Sequence, residues 1–246
     1  MTYAVAFRLE CGLVFAADTR TNAGVDNIAQ YKKLQLWRRP GERVFVLLSA
    51  GNLGATQSVV SLINEHLAAE PGEDEEVATL YTAPNMYRAA RVVGDAVREA
   101  RKIDAAALEA SKLGFNTNFI FGGQIKGERP RLFQIYPEGN FIEATDDTPF
   151  FQIGEHKYGK PILDRVARAD MRLGEAAKLI LLSFDSTLRS NLSVGMPIDL
   201  VIYERDTFDV TREKRISADD EYFRNLSGAW SDALRQAFSK IEEFDV

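Results

Sequence analysis

Extended and helical segments come in blocks along this chain, and the order of the blocks limits the folds open to it. Residues 2–9 alternate with a period near two, and 13–17 form a second apolar run. Glu10-Cys11-Gly12 between them reads as a tight turn, which makes the two runs an antiparallel hairpin. Residues 33–37 alternate again, and Arg39-Pro40-Gly41-Glu42 turns the chain into the apolar run 43–48. Two helices follow. In 53–69, Val59, Leu62, Ile63 and Leu67 recur at helical spacing, and a second stretch from about Pro84 to Ala110 places Ala89, Val92, Val93, Ala96 and Val97 on one face. The acidic run 70–76 between them reads as a solvated loop.

The pattern then repeats in kind. Strands are expected at 118–125, 131–136, 141–144 and 149–154, helices at 158–168 and 173–188, strands at 198–204 and 208–215, and a last helix at 218–240. Hairpins separated by helix pairs disfavour a parallel doubly wound sheet. They predict an α+β fold in which two stacked sheets carry helices outside, a four-layer αββα sandwich. With no repeat, low-complexity segment or linker in view, residues 1–246 read as a single domain. The last helix is strongly amphipathic, with Phe223, Leu226, Trp230, Leu234, Phe238 and Ile241 three or four apart. Packing onto its own sandwich is the default, and packing against a neighbouring subunit comes second.

Composition excludes more than it suggests. A net charge of −6 argues against a general nucleic-acid or acidic-membrane binder. Cys11 is the only cysteine, and His66 and His156 are the only histidines, so a cysteine-based zinc site or a histidine-rich metal site is not expected. No leader and no apolar run approaching a membrane span are visible. The expectation is a cytoplasmic protein with no metal, no cofactor, no nucleic-acid partner and no membrane.

The chain starts Met1-Thr2, and threonine is small enough for Met1 to be removed during synthesis. Removal would leave Thr2 with a free α-amine beside its hydroxyl, a nucleophile carrying its own base. An ordinary first strand fits the same start. With Cys11-Gly12 as a two-residue loop, paired positions sum to 23, so Thr2 faces Thr21 and Asp18 faces Val5. Asp18 then lies about 10 Å along the strand from Thr2's partner. It ends an apolar run, where a carboxylate is costly to bury without a cation. Lys32 and Lys33 open the third strand, and alternation sends one inward without saying which. A lysinium held by Asp18 would favour the Thr2 alkoxide, and a backbone N–H in Ser49-Ala50-Gly51-Asn52 would serve as oxyanion donor.

These residues resemble the N-terminal-threonine subunits of the proteasome β-type family, of the N-terminal nucleophile hydrolase class. Thr2 opens a strand, Asp18 ends the second, and Lys33 stands in Lys32-Lys33-Leu34. The turn Ser49-Ala50-Gly51-Asn52 is similar to the family's oxyanion turn, although a glycine is more usual at its start. The run from Phe184 through Asp185, Ser186 and Ser190 to Gly195, followed by Pro197-Ile198-Asp199, looks like the segment that supports the nucleophile. That run and Ile153-Gly154-Glu155-His156-Lys157-Tyr158-Gly159-Lys160-Pro161 resemble most closely the bacterial Anbu branch, the ancestral β-subunit-like proteins. The resemblance implies Thr2, Asp18 and Lys33 as catalytic residues, and Asp185 with Ser186 or Ser190 in support. Ser49, Ala50 and Gly51 are then the implied oxyanion donors. It also implies a threonine peptidase acting on peptide or protein substrates within a ring or helical homo-oligomer, with any unfoldase partner left open. A scaffold of the same fold with little or no peptidase activity, and a small-amide hydrolase, are the alternatives. If Met1 stays, the Thr2 nitrogen is an amide and cannot accept a proton.

Overall fold

The computed structural model describes residues 1–22, 28–69, 78–110 and 114–245, so the acidic run 70–76 lies outside the described residues. The chain opens with strands β1 (Tyr3–Leu9), β2 (Gly12–Asp18), β3 (Arg20–Asn22), β4 (Ile28–Gln30), β5 (Leu34–Arg39) and β6 (Arg43–Gly51). Helices α1 (Leu53–Ala68) and α2 (Met86–Ala110) lead to β7 (Thr117–Ile125), β8 (Arg131–Ile135), β9 (Phe141–Glu143) and β10 (Phe150–Gly154). Then come α3 (Lys160–Val166), α4 (Leu173–Ser190), β11 (Ile198–Glu204), β12 (Arg212–Ile216) and α5 (Glu221–Phe238).

Two five-stranded antiparallel sheets result, ordered β10-β1-β2-β11-β12 and β5-β6-β7-β8-β9. Strand alternation gives each sheet two buried faces. Ala4 and Ala6 of β1 and Leu13, Phe15 and Ala17 of β2 meet Val44, Val46, Leu48 and Ile120 in the core between the sheets. The other side of the first sheet, with Val5, Phe7, Val14 and Ala16, packs on Leu163 of α3 and Ile180 and Phe184 of α4. Phe45, Leu47, Phe119 and Phe121 of the second sheet pack on Val59 and Ile63 of α1 and Val93 and Val97 of α2. These three cores make the mixed α/β sandwich that the block order predicts, and each fully buried Phe or Leu contributes about 1.5–3 kcal/mol. Because both faces of β1 and β2 are covered, the strands read as nearly continuous apolar runs.

Three expectations need correction. The first hairpin pairs Ala4 with Ala17 and Leu9 with Gly12, so paired positions sum to 21 and the loop is Glu10-Cys11. Gly12 belongs to β2 because β11 lies against it: a Cβ there would sit 2.0 Å from the Tyr203 carbonyl oxygen. The ribbon β3–β4 lies within what reads as a loop, its strands too short to show a period. The strand expected at 208–215 starts only at Arg212, after Asp206 and Phe208 adopt positive φ. In α5, whose Asp220 N-cap accepts from the Phe223 N–H at 2.9 Å, only Phe223 is fully buried, so the helix packs on its own sandwich mainly through its first turns.

Among the described residues no helix is long and apolar enough to cross a membrane.

Candidate active site

β2 ends on Asp18, which is fully buried. A carboxylate so placed must collect donors, and three reach it. The Lys33 Nζ donates at 2.8 Å and the Tyr3 backbone N–H at 3.1 Å, both to Oδ1, while the Gly195 N–H donates to Oδ2 at 3.3 Å. Lys33 stands just ahead of β5 and turns inward, 4% exposed. Lys32 turns out to Glu213 at 3.5 Å, which resolves the choice that alternation leaves open. The Lys33 ammonium also donates to the Arg20 carbonyl at 2.5 Å and lies 3.5 Å from the Met1 carbonyl oxygen. Burial pushes the Asp18 carboxyl up and the Lys33 ammonium down, and each charge opposes the shift of the other.

Thr2 is held from two sides. Its carbonyl accepts the Glu155 N–H at 2.7 Å, directly after Gly154, whose φ is +82°. A Cβ on Gly154 would lie 2.0 Å from the Thr2 carbonyl oxygen, so only glycine permits this approach. The next residue anchors the strand from the other face. Tyr3 Oη accepts from Gln152 Nε2 at 2.7 Å and lies 2.8 Å from Ser183 Oγ, which itself donates to the Ile180 carbonyl at 2.6 Å. Ser183 has one hydroxyl proton, so Tyr3 is the donor in that pair. Burial raises the Tyr3 phenol well above its ordinary value and keeps it neutral. On the remaining side Thr2 lines a cleft of about 680 Å³ together with Met1, Thr21, Lys33, Gly51 and Asn116.

The turn after β6 is more constrained than its sequence suggests. The Ser49 N–H is already donated to the Lys33 carbonyl at 3.0 Å. Ala50 is buried in the core between the sheets and pairs with Asn118. Alternation puts the Gly51 N–H on the same strand edge as that of Ser49, beyond the start of β5, where it borders the cleft. Gly51 has φ +119°, and a Cβ would lie 2.0 Å from the Asn116 carbonyl oxygen. All three residues line the cleft, and of their N–H groups that of Gly51 is the one this alternation turns toward it.

The structure brings Thr2, Asp18, Lys33 and Gly51 together, but not Asp185, Ser186 or Ser190. Those three lie on α4, where Asp185 holds Arg189 at 3.1 Å and Arg189 reaches Ser227 of α5 at 2.8 Å. Ser190 is exposed at the helix end. The segment supports the cluster through Gly195 instead, once α4 has ended and the chain has turned back toward β11. Sequence reasoning misses Gln152 and Ser183, and holds Gly195 and Glu155 only as motif members with no bond assigned, because all four stand about 150–190 positions from the first strand. The glycines at 154 and 195 were the available signal.

Comparison with known proteins completes the picture. A family model described as proteasome subunit matches residues 85–203. Among solved structures, the chain is 89% identical to an Anbu (Gly-1) mutant from Hyphomicrobium sp. strain MC1, covering 100% of both chains with a TM-score of 0.94. It is 49% identical to Anbu (ancestral β-subunit) from Yersinia bercovieri, covering 99% of both chains with a TM-score of 0.90. It is 44% identical to a chain of the helical assembly of the Anbu complex from Pseudomonas aeruginosa, covering 99% of this chain and 98% of that one with a TM-score of 0.92. No curated protein matches the chain.

These findings overturn the reading of the chain as a working threonine peptidase. While Met1 is attached, the nitrogen of Thr2 is an amide whose lone pair is delocalised into the carbonyl and cannot take a proton. The relatives are similar to this chain over their whole length, and they are described as Anbu, one of them as a helical assembly of the Anbu complex. The chain belongs to the bacterial Anbu family, the ancestral β-subunit branch within the proteasome and N-terminal nucleophile hydrolase superfamily.

Proposed function

We propose that this chain is a structural subunit of a homo-oligomeric ring or helical assembly, with little or no peptidase activity. The observation that carries the reading is the likeness over the whole chain to Anbu proteins, one of them a chain of a helical assembly; where Met1 stays attached, Thr2 also lacks the base that an N-terminal nucleophile needs. In this reading Thr2, Asp18 and Lys33 act as a clamp: the buried ion pair ties the start of β1 to the loop at Gly195 and to the approach to β5. Likeness to a chain from a helical Anbu assembly supports the oligomer. We take the 246 residues as one domain and the location as cytoplasmic, on the acidic composition and single cysteine. The reading requires no peptide substrate, unfoldase or cofactor.

The test is covalent labelling by a peptide electrophile, read by intact mass on the same sample whose size is measured by light scattering. A multimer that retains the Met1 mass and takes no label supports the reading. Label on Thr2 that is lost in Thr2→Ala overturns it.

A further inference from the structure

Away from the cleft at Thr2, a cavity of about 420 Å³ opens where the loop after α4 meets the first turns of α5. Much of its wall is apolar, with Leu188 of α4, Val194 and Met196 of the loop, and Phe223 of α5. Arg20 of β3 and Arg224 of α5 are the two charged residues of the lining, and no carboxylate stands among the lining residues. The acidic residues at the start of α5 are engaged elsewhere. Asp220 takes the Lys214 ammonium at 2.7 Å, and Asp219, which feels the charge of Arg224, takes the Ser217 hydroxyl. Neither arginine of the pocket therefore joins an ion pair among the described residues.

Arg20 is set in place before any ligand arrives. Its Nη1 donates to the Leu192 carbonyl at 2.9 Å, and the guanidinium lies close against Gly195, where a Cβ would sit 2.1 Å from Nε and 2.3 Å from Cζ. Only glycine permits that approach. A guanidinium fixed in this way loses little freedom on binding a planar anion, and its fork matches a carboxylate. The lining thus selects a ligand with two parts. Cations are repelled by the two arginines. A bare inorganic anion leaves the apolar wall wet, and an uncharged apolar molecule leaves both guanidinium groups unpaired. A carboxylate on a short apolar chain satisfies the charge and the wall together.

We propose that this pocket binds a small amphiphilic monoanion, with Arg20 and Arg224 taking its carboxylate and Leu188, Met196 and Phe223 its apolar chain. The backbone links the pocket to the buried ion pair. The Arg20 carbonyl accepts the Lys33 ammonium at 2.5 Å, and the Gly195 N–H donates to Asp18 Oδ2 at 3.3 Å. A ligand on Arg20 therefore rests on the two residues that hold the Asp18–Lys33 pair. Occupancy and the ion pair reinforce each other, and linkage makes the effect equal in both directions. Nothing in this requires Thr2 to react.

Titration calorimetry with octanoate as the probe, on the full-length protein in whatever assembly it forms, tests the proposal, with far-UV circular dichroism as the check on folding. Saturation at one octanoate per chain is expected, with octanol and acetate each bound about 10-fold more weakly or worse. Arg224→Met, at an exposed position, is expected to weaken octanoate by about 10-fold, and Arg20→Met by as much or more. Arg165→Met, on α3 and outside the pocket, is expected to change nothing. Arg20 also braces the Leu192 carbonyl, so if Arg20→Met fails to fold, Arg224→Met and octanol decide the matter. Asp18→Asn/Lys33→Met is expected to weaken octanoate by about 5-fold through the linkage. No saturable octanoate binding, equal affinity in Arg224→Met, or equal affinity for octanol would overturn the site. Unchanged octanoate affinity in Asp18→Asn/Lys33→Met would overturn the coupling to the ion pair alone.

Discussion

Asp18 and Lys33 are the residues on which the amino-terminal clamp depends. Both are buried, so removing one leaves the other uncompensated, at about 3–5 kcal/mol. We expect Asp18→Asn and Lys33→Met each to lose stability on that scale, and Asp18→Asn/Lys33→Met to lose much less than the sum. Urea unfolding of the four proteins measures this, and additive losses would contradict the pairing. The pair also sets a pH dependence. The folded Asp18 carboxyl is raised above its ordinary 3.8, so its contribution to stability is full below 3.8 and lost as pH rises through the folded value. The Lys33 ammonium is lowered from 10.5, so its contribution is full above 10.5 and lost as pH falls through its folded value. Wild-type stability minus that of Asp18→Asn/Lys33→Met should therefore grow as pH falls toward 3.8. A difference that shrinks there would be wrong for this account. At this scale the sequence made Asp18 legible, since a charge at the end of an apolar run asks for a partner, while only the family resemblance singled out Lys33 from Lys32. Gly195 and Glu155 were not legible, because the fold alone brings their backbone N–H groups to Asp18 and Thr2.

Elements were more legible than their registers. The block order correctly set the two sheets, the outer helices and the first hairpin, since each rests on local periodicity. The register of that hairpin came out two positions off in sum, and this shift keeps every side chain on its expected face. The error arose because Gly12 looks like a turn residue, whereas its lack of a side chain serves β11. Gly12→Ala is thus expected to act by overpacking between strands, costing about 1–3 kcal/mol. Thermal unfolding checks it, and a neutral or stabilising result would assign Gly12 back to the turn. Gly154→Ala should be destabilised by about as much, because its φ of +82° and its contact with Thr2 both exclude a side chain. In α5 the amphipathic pattern was plain, but periodicity does not tell which molecule covers the stripe.

At the scale of the whole molecule, the sandwich positions a site without completing it. The two sheets, joined at one end by the Asp18–Lys33 pair, hold Thr2 at the wall of a cleft, and the family resemblance visible in the sequence agrees with the relatives found. What neither motif nor fold carries is the state of one peptide bond, because the same residues in the same places serve as clamp or nucleophile according to whether Met1 is attached. The most direct measurement is peptide hydrolysis by the assembled protein, with Met1 verified by intact mass and Thr2→Ala run alongside. Turnover at the level of Thr2→Ala in an assembly of unchanged size is the predicted result. Turnover above that of Thr2→Ala, from protein that still carries Met1, would contradict the account.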